Sequence, residues 1–368
     1  ALLWNRTLVK ALLKMGFRQM QSDPCIFTMH RKGRMLILAV YVDDVLVARE
    51  DDDDLNHVLE QLKKDFTIED IGEVKQCLGI EVEKDAVGNF CICQTGYIER
   101  MMEKFKLHAS KSARTPLQKQ LKTDGSPPVD PSSYRSMIGA ILYVAVATRP
   151  DVSFATSMLS EASMEPTEAH FAACQRLIKF LFNTRHYKIS FHQHQRGIEG
   201  FADASHENRK DGKSTSGYFV SIAGGPVIWG SHKQKVVASS TALAETIALS
   251  QLGHDIVFVK QLVGEMGFTL GRKQPQQNPT MDFVHMTPIA KVFEDCNPAI
   301  RMNENAGLTK ANKTVRLAFH NVRELIRDKV ITLVKVGSEK QPADILTKAL
   351  SKKATLAHSQ RIFKTSQL

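Results

Sequence analysis

Gly200-Phe201-Ala202-Asp203-Ala204 is the stretch whose reading decides the fold: a short apolar run carrying a single carboxylate, in a region that turns from helical to strand-like spacing at Lys188. Working outward, Lys213-Ser214-Thr215-Ser216-Gly217-Tyr218 opens a second strand that ends near Trp229-Gly230-Ser231. Ser239-Ser240-Thr241-Ala242-Leu243-Ala244-Glu245 then starts a long helix, expected over Thr241 to Met266, with Glu245 one turn in, where the helix dipole favours an acid. Asp295 follows the apolar pair Val292-Phe293 and precedes Pro298-Ala299-Ile300. A strand acid, a helix-start acid and a strand-end acid in an alternating α/β unit form a set that many α/β proteins offer.

A second acidic element lies near the start. Tyr41-Val42-Asp43-Asp44 sits between the apolar runs Leu36 to Val40 and Val45 to Val47, as a tight turn sits between two hairpin strands. Adjacent carboxylates at a turn can face metal, and nucleotidyl transfer uses two divalent cations bridged by carboxylate oxygens. An Asp-Asp pair by itself is most often a solvated turn.

The remaining chain reads as alternating elements. Leu2, Leu3, Leu8, Leu12 and Leu13 make a helical pattern that closes at Gly16, and Asp51 to Phe66 suits an exposed helix that opens with acids. Strands are expected around Leu78 to Val82 and Phe90 to Cys93, with Val87-Gly88-Asn89 between them, then a helix from Tyr97 to Lys106. Ser110 to Ser133 holds Thr115-Pro116 and Gly125-Ser126-Pro127-Pro128 with almost no periodic apolar signal, which predicts a linker. Helices follow over Tyr134 to Ala147, Asp151 to Glu161 and Glu168 to Asn183, and Gly271 to Met286 reads as a loop or insertion. The expected division is 1–109, a linker 110–133, a helical connection 134–187, an α/β unit 188–350 and a basic tail 351–368.

A chain of 368 residues exceeds one ordinary core, and 43% hydrophobic with 24% charged residues is ordinary globular composition. No apolar run has the length of a membrane span. Ala1-Leu2-Leu3-Trp4 has neither a methionine nor a signal pattern and reads as a cut end. The cysteines at 25, 77, 91, 93, 174 and 296 follow no zinc spacing, and a reducing, intracellular setting is expected. The net charge is +10, and Lys310 to Leu368 alone carries 13 Lys or Arg against 4 Asp or Glu, which suits a polyanion such as nucleic acid. A solvated basic helix without a ligand is the plainer account of the same excess.

In order and spacing the chain resembles copia-type retrotransposon polyproteins. The words that carry the resemblance are Gly16-Phe17, Asp23-Pro24-Cys25-Ile26-Phe27, Tyr41-Val42-Asp43-Asp44, Cys77-Leu78-Gly79-Ile80-Glu81-Val82, Gln94-Thr95-Gly96-Tyr97-Ile98 and Thr115-Pro116-Leu117. Tyr134-Arg135-Ser136-Met137-Ile138-Gly139 and Thr148-Arg149-Pro150-Asp151 continue it. Trp229-Gly230-Ser231-His232-Lys233-Gln234 and Gln341-Pro342-Ala343-Asp344-Ile345-Leu346-Thr347-Lys348 are similar to the family's ribonuclease H. The resemblance implies an α/β chain: a partial reverse-transcriptase palm and thumb, a helical connection, and a ribonuclease H-like mixed sheet flanked by helices. It implies that Asp43 and Asp44 serve the polymerase, that Asp203, Glu245 and Asp295 serve ribonuclease H, and that all five ligate Mg²⁺ or Mn²⁺. RNA, DNA and RNA–DNA hybrid would be the partners, contacted at phosphates by Lys310, Lys313, Arg316 and Arg323. No membrane is implied. Association with other parts of the polyprotein is, together with a cytoplasmic virus-like particle or a nuclear location.

Two departures matter. The family's polymerase metals also need an aspartate in an earlier strand, which this sequence does not contain, so no templated synthesis is expected of it. Counting from Asp295, Asn305, Lys313, His320, Arg323 and Glu324 keep the family spacing, yet Arg316 stands where an aspartate is expected. A guanidinium there would repel a divalent ion by roughly 4 kcal/mol per unit charge at an effective dielectric near 20, which predicts weak or absent ribonuclease H activity. Leu243 and Thr246 also replace the family's usual Glu and Tyr beside Glu245. The alternative reading is a catalytically dead nucleic-acid-binding relic or host-recruited module.

Overall fold

In Arg34-Met35-Leu36-Ile37-Leu38-Ala39-Val40-Tyr41 the side chains of Leu36, Leu38 and Val40 are buried, the period of two that a strand shows with one face on a core. The computed structural model describes residues 2–109, 113–119, 121, 123–192, 197–268, 287–304 and 313–363. The expected insertion Gly271–Met286 therefore lies outside the described residues. The chain divides into two units, Ala1–Val74 with Val257–Pro288, and Lys75–Ile256 with Ile289–Leu368.

In the first unit, β1 (Arg18–Gln19), β2 (Ile26–Arg31), β3 (Arg34–Tyr41) and β4 (Asp44–Ala48) form an antiparallel sheet in chain order. Lys32 and Gly33, both at positive φ, close β2 to β3 as a two-residue hairpin turn requires. Val42-Asp43 closes β3 to β4, with Val42 at φ 52, a conformation that β-branched residues rarely adopt. Helices α1 (Leu2–Lys14) and α2 (Asp52–Leu62) supply Leu8, Leu12, Val58 and Leu62 to the core. Asp51 caps α2 by accepting from Asp53 N at 2.8 Å. Asp54 accepts from Arg34 Nε at 2.8 Å and Arg31 Nη1 at 2.6 Å, and these guanidinium groups hold its carboxyl down at about 2. The helix ends at Leu62, short of the expected Phe66.

In the second unit, β5 (Gln76–Cys77), β6 (Ile80–Lys84) and β7 (Phe90–Cys93) form an antiparallel meander followed by α3 (Thr95–Lys104). Helices α4 (Pro131–Ala147), α5 (Ser153–Ser160) and α6 (Glu168–Asn183) then bring the chain back to β8 (Ile189–Phe191), which pairs with β7. Tyr134, Met137, Ile141, Leu177 and Leu181 centre the helical core. The stretch 110–133, read as a linker, is anchored to the helical core at a few points of its described part. Ala113 and Leu117 are buried in the helical core, Asn183 Nδ2 donates to Ala113 O at 3.2 Å, and Val129 N donates to Pro166 O at 2.9 Å. Anchoring by isolated residues leaves no period for a sequence to display.

Beyond β8 runs a mixed five-stranded sheet. Strands β9 (Ile198–Ser205), β10 (Thr215–Ile222) and β11 (Gly225–Lys233) are antiparallel, while β12 (Ala290–Glu294) and β13 (Ile331–Lys335) run parallel to β9, in the order β11-β10-β9-β12-β13. Most of β10 is buried because elements cover both faces of the sheet. On one face lies α7 (Thr241–Glu265): a Cβ at Gly200 would meet Leu252 Cδ2 at 3.0 Å and Ile256 Cδ1 at 3.1 Å. After α8 (Asn297–Glu304), α9 (Lys313–Arg327) packs on α7, with Asn321 Nδ2 donating to Ser250 Oγ at 2.9 Å. On the other face Phe219 packs with Ile345 and Leu346 of the 3₁₀ turn Pro342–Leu346 and with Ile362 and Phe363 of α10 (Lys352–Phe363). The described part of the expected basic tail is thus a docked helix. The result is the mixed sheet flanked by helices that the resemblance implies, and no described helix is long and apolar enough to cross a membrane.

Arg149, between α4 and α5, is 1% exposed. It donates from Nε and Nη2 to Asp151 at 2.8 and 2.7 Å, from Nη1 to Thr184 O at 3.1 Å and from Nη2 to Thr184 Oγ1 at 2.7 Å. The rings of Phe180, Tyr187 and Phe363 surround it at 5.8, 5.0 and 5.6 Å. Truncating one partner of a buried pair strands the other charge, so Arg149→Ala is expected to cost about 3–5 kcal/mol. Urea unfolding followed at Trp229, whose Nε1 donates to Ala145 O at 2.7 Å, measures it, and a loss under about 1 kcal/mol would contradict the anchoring role.

Candidate active site

Phe219, Phe201 and Phe293 stack across β10, β9 and β12 at 4.7 Å between successive centroids. Two residues along from this row, the same face carries Gly217, Asp203 and Asp295, since side chains alternate along strands. Pairing of β9 with β12 extends only to Phe201 and Phe293, so the two acids stand at the carboxyl ends of parallel strands where the sheet opens. Glu245, in the first turns of α7, reaches the same place. One carboxylate oxygen each from Asp203, Glu245 and Asp295 lies within 4.8 Å of the others.

Gly217 explains how the fourth wall is built. It pairs in register with Asp203, and a Cβ there would meet Thr347 Cγ2 at 2.5 Å and the Leu346 backbone carbon at 2.9 Å. Only glycine lets the closing segment 342–348 lie this close. Its approach brings Thr347 Oγ1 to donate to Asp203 Oδ2, and it sets Lys348 Nζ 3.4 Å from Asp203 Oδ2 and 3.0 Å from Asp344 Oδ1. Asp344 is a further carboxylate beside Asp203, one that the sequence reading did not single out although it lies in the Gln341-to-Lys348 stretch. The reading that Arg316 takes the place of a site acid is corrected: Arg316 is exposed on α9, and the acid built in beside Asp203 is Asp344.

Burial sets the electrostatics. Asp203 and Glu245 are 2% and 3% exposed, and Glu294, at the end of β12, is fully buried. Desolvation pushes Asp203 up to about 6 against the pull of Lys348, with Asp344 raising it further. Desolvation likewise takes Glu294 to about 8 and raises Glu245 well above the usual range, with Glu294 and Asp203 adding to the latter. Among the described residues, Glu245 Oε2 and Glu294 Oε2 are buried without a hydrogen-bond partner. Buried oxygens left unsatisfied in an all-carboxylate set are what a hard divalent cation accepts.

The other expected residues fare differently. Asp43 and Asp44 are exposed at the β3–β4 turn and, among the described residues, join no group of three metal-competent side chains. Lys310 lies outside the described residues, and Lys313 opens α9 with its side chain undescribed. Arg323 donates to Met302 O at 3.0 Å and lies 3.9 Å from the Phe319 ring centroid, so it ties α9 to α8. Leu243 is buried, and Thr246 accepts from Asn303 Nδ2 at 3.0 Å, so both departures beside Glu245 are absorbed in packing. Glu81, Glu83 and Cys93 also converge, but Glu81 accepts from Gly96 N at 2.7 Å and Glu83 pairs with Lys188, partners that account for the cluster.

The family described as reverse transcriptase (RNA-dependent DNA polymerase) matches residues 1–119. A transposon Ty5-1 protein of Saccharomyces cerevisiae is 31% identical over 68% of this chain and 83% of its own length. The chain belongs to the copia-type retrotransposon Pol family. The Pol polyproteins of transposon TNT 1-94 from Nicotiana tabacum and transposon RE1 from Arabidopsis thaliana are each 28% identical, over 89% and 95% of this chain. These matches cover 24% and 23% of their lengths, so this Pol chain spans about a quarter of the Pol polyproteins it matches. Among solved structures, an N-terminal RNase H domain from Mycobacterium tuberculosis is similar over 45% of this chain and 97% of that chain, at 16% identity and a TM-score of 0.29. The strand pairing of the mixed sheet stands independently of that likeness.

A pH dependence follows for the Pol chain. Asp203 and Glu294 titrate above their ordinary values, so the stability they lend is complete below about pH 4 and is lost as pH rises through about 6 and about 8. Melting with chelator present is expected to drop steadily between about pH 5 and pH 8.5, and a divalent ion at the upper end should recover several degrees. Metal-free melting that rises across this window would show that the acids are not packed as described.

Proposed function

We propose that the second unit is a divalent-metal-dependent ribonuclease H that cuts the RNA strand of RNA–DNA hybrid. The observation that carries this reading is the convergence of Asp203, Glu245 and Asp295 within 4.8 Å, at the carboxyl ends of parallel strands, with Asp344 beside Asp203. Asp203, Glu245, Asp295 and Asp344 would hold Mg²⁺ or Mn²⁺. When bound, such ions turn water into a nucleophile near neutral pH and offset charge at the phosphate. The protein's own part is orientation. Thr347 fixes one oxygen of Asp203, the Phe219–Phe201–Phe293 row sets the spacing of Asp203 and Asp295, and burial of Glu245 and Glu294 keeps bulk water away from that wall.

Asp43 and Asp44 are the polymerase carboxylates of this reading, and because no third metal-competent side chain converges with them among the described residues, this chain should not extend a primer. RNA and DNA are its partners through the phosphate backbone, in an intracellular setting, cytoplasmic or nuclear. Because the acid beside Asp203 is Asp344, the expectation of weak activity based on Arg316 gives way to active cleavage.

Cleavage of a labelled RNA–DNA hybrid with Mg²⁺ or Mn²⁺ tests the reading. Asp203→Asn is expected to remove activity by about a thousandfold or more, and Asp344→Asn by at least about tenfold, in line with the loss of metal-site charge. Arg316→Asp should change the rate by less than about threefold, as a surface substitution does. Cleavage that survives Asp203→Asn, or that appears only in Arg316→Asp, would overturn it.

A further inference from the structure

Lys348 is the cation that already occupies the acid cluster. Its ammonium lies 3.4 Å from Asp203 Oδ2 and 3.0 Å from Asp344 Oδ1, and it is the partner of both acids among the described ion pairs. The same Asp203 oxygen accepts from Thr347, the residue before Lys348, and Asp344 lies one helical turn earlier in the same segment. The two acids and the lysine are therefore set by one short piece of backbone pressed onto Gly217. The side chain of Asp203 is 3% exposed, whereas that of Lys348 is 40% exposed, so its long stem can carry the charge out to solvent while the acid stays. A lysine suits this role: it is a point charge on a flexible stem, without the fixed fork of an arginine.

We propose that Lys348 is a built-in counter-ion that competes with divalent metal for Asp203 and Asp344 and must leave for the metal site to fill. This rests on the metal-site reading above. In the metal-free chain the ammonium, paired with Asp203 and Asp344, offsets buried negative charge that would otherwise destabilise the fold. Metal binding and lysine release are then linked. Whatever the lysine contributes to the metal-free state is subtracted from apparent metal affinity. Lys335 is the natural comparison, since it also lies beside the cluster but donates to the backbone carbonyl of Asp295 and not to a carboxylate.

The test is Mn²⁺ binding to the full chain, read by the electron paramagnetic resonance of free Mn²⁺ at low ionic strength, with thermal melting alongside. Lys348→Met is expected to bind Mn²⁺ about tenfold tighter or more, because a unit charge at contact distance is removed. It should also melt lower than wild type in chelator and gain more from saturating Mn²⁺. Should Lys348→Met fail to fold, Lys348→Gln carries the same comparison. Lys335→Met should change affinity by less than about threefold, the scale of a nearby charge that does not compete for the carboxylates. Wild type that binds Mn²⁺ through Asp203, as judged by loss in Asp203→Asn, with unchanged or weaker binding in Lys348→Met, would overturn the inference and leave the metal site standing. An equal gain in Lys335→Met would overturn it too, by reducing the effect to general charge. Absence of Mn²⁺ binding in wild type and in both Lys348 variants would remove the metal reading itself. Binding that appears only once Lys348 is replaced would support the inference in its strongest form.

Discussion

The Arg149 guanidinium is the fixed point of the second unit. It is out of water, its hydrogen bonds are spent on Asp151 and Thr184, and three rings drawn from α6, Tyr187 and the last helix surround it. A buried charge tolerates little movement of its partners, because each ångström of separation leaves charge uncompensated in a poorly polarisable surrounding. The end of α4, the end of α6 and the docking of α10 are thereby tied to one another. Since α10 directly follows the segment that carries Asp344, Thr347 and Lys348, the constraint reaches the acid cluster without touching it.

Much of this was legible in the chain itself. The apolar runs Leu36 to Val40 and Val45 to Val47 on either side of Tyr41-Val42-Asp43-Asp44 announced a hairpin, and the two strands pair as one. Asp203, Glu245 and Asp295 were separable as strand, helix and strand-end acids, and the fold brings those three together. What failed to show was contact that has no local period. Ala113 and Leu117 are anchored singly in a stretch otherwise rich in turn residues, so they look like linker. Asp344 lies in a 3₁₀ turn far along the chain from Asp203, and its role depends on the absence of a side chain at Gly217. Nothing in the spacing around either residue reports that the two segments touch.

The case of Arg316 shows the opposite error. Position counting from Asp295 assigned it to the site because a family interval ends there, but that interval crosses residues 305–312, outside the described chain, and then an amphipathic helix. A helix has an outer face, and a residue at the right count can sit on it. Counting is dependable within one regular element and loses its meaning across a connection of unknown path.

The stacked row Phe219–Phe201–Phe293 has a consequence for how this sheet tolerates change. It crosses both an antiparallel and a parallel pairing, so it acts as a ruler laid over two different hydrogen-bond patterns. Sliding β12 by one residue against β9 would put Val292 or Glu294 opposite Phe201, break the stack, and aim Asp295 at the opposite side of the sheet. An insertion or deletion near either strand is therefore signalled by the loss of an aromatic stack before any chemistry is lost. Ring-current shifts of Phe201 would report the alignment of the acids in a chain that carries no metal at all.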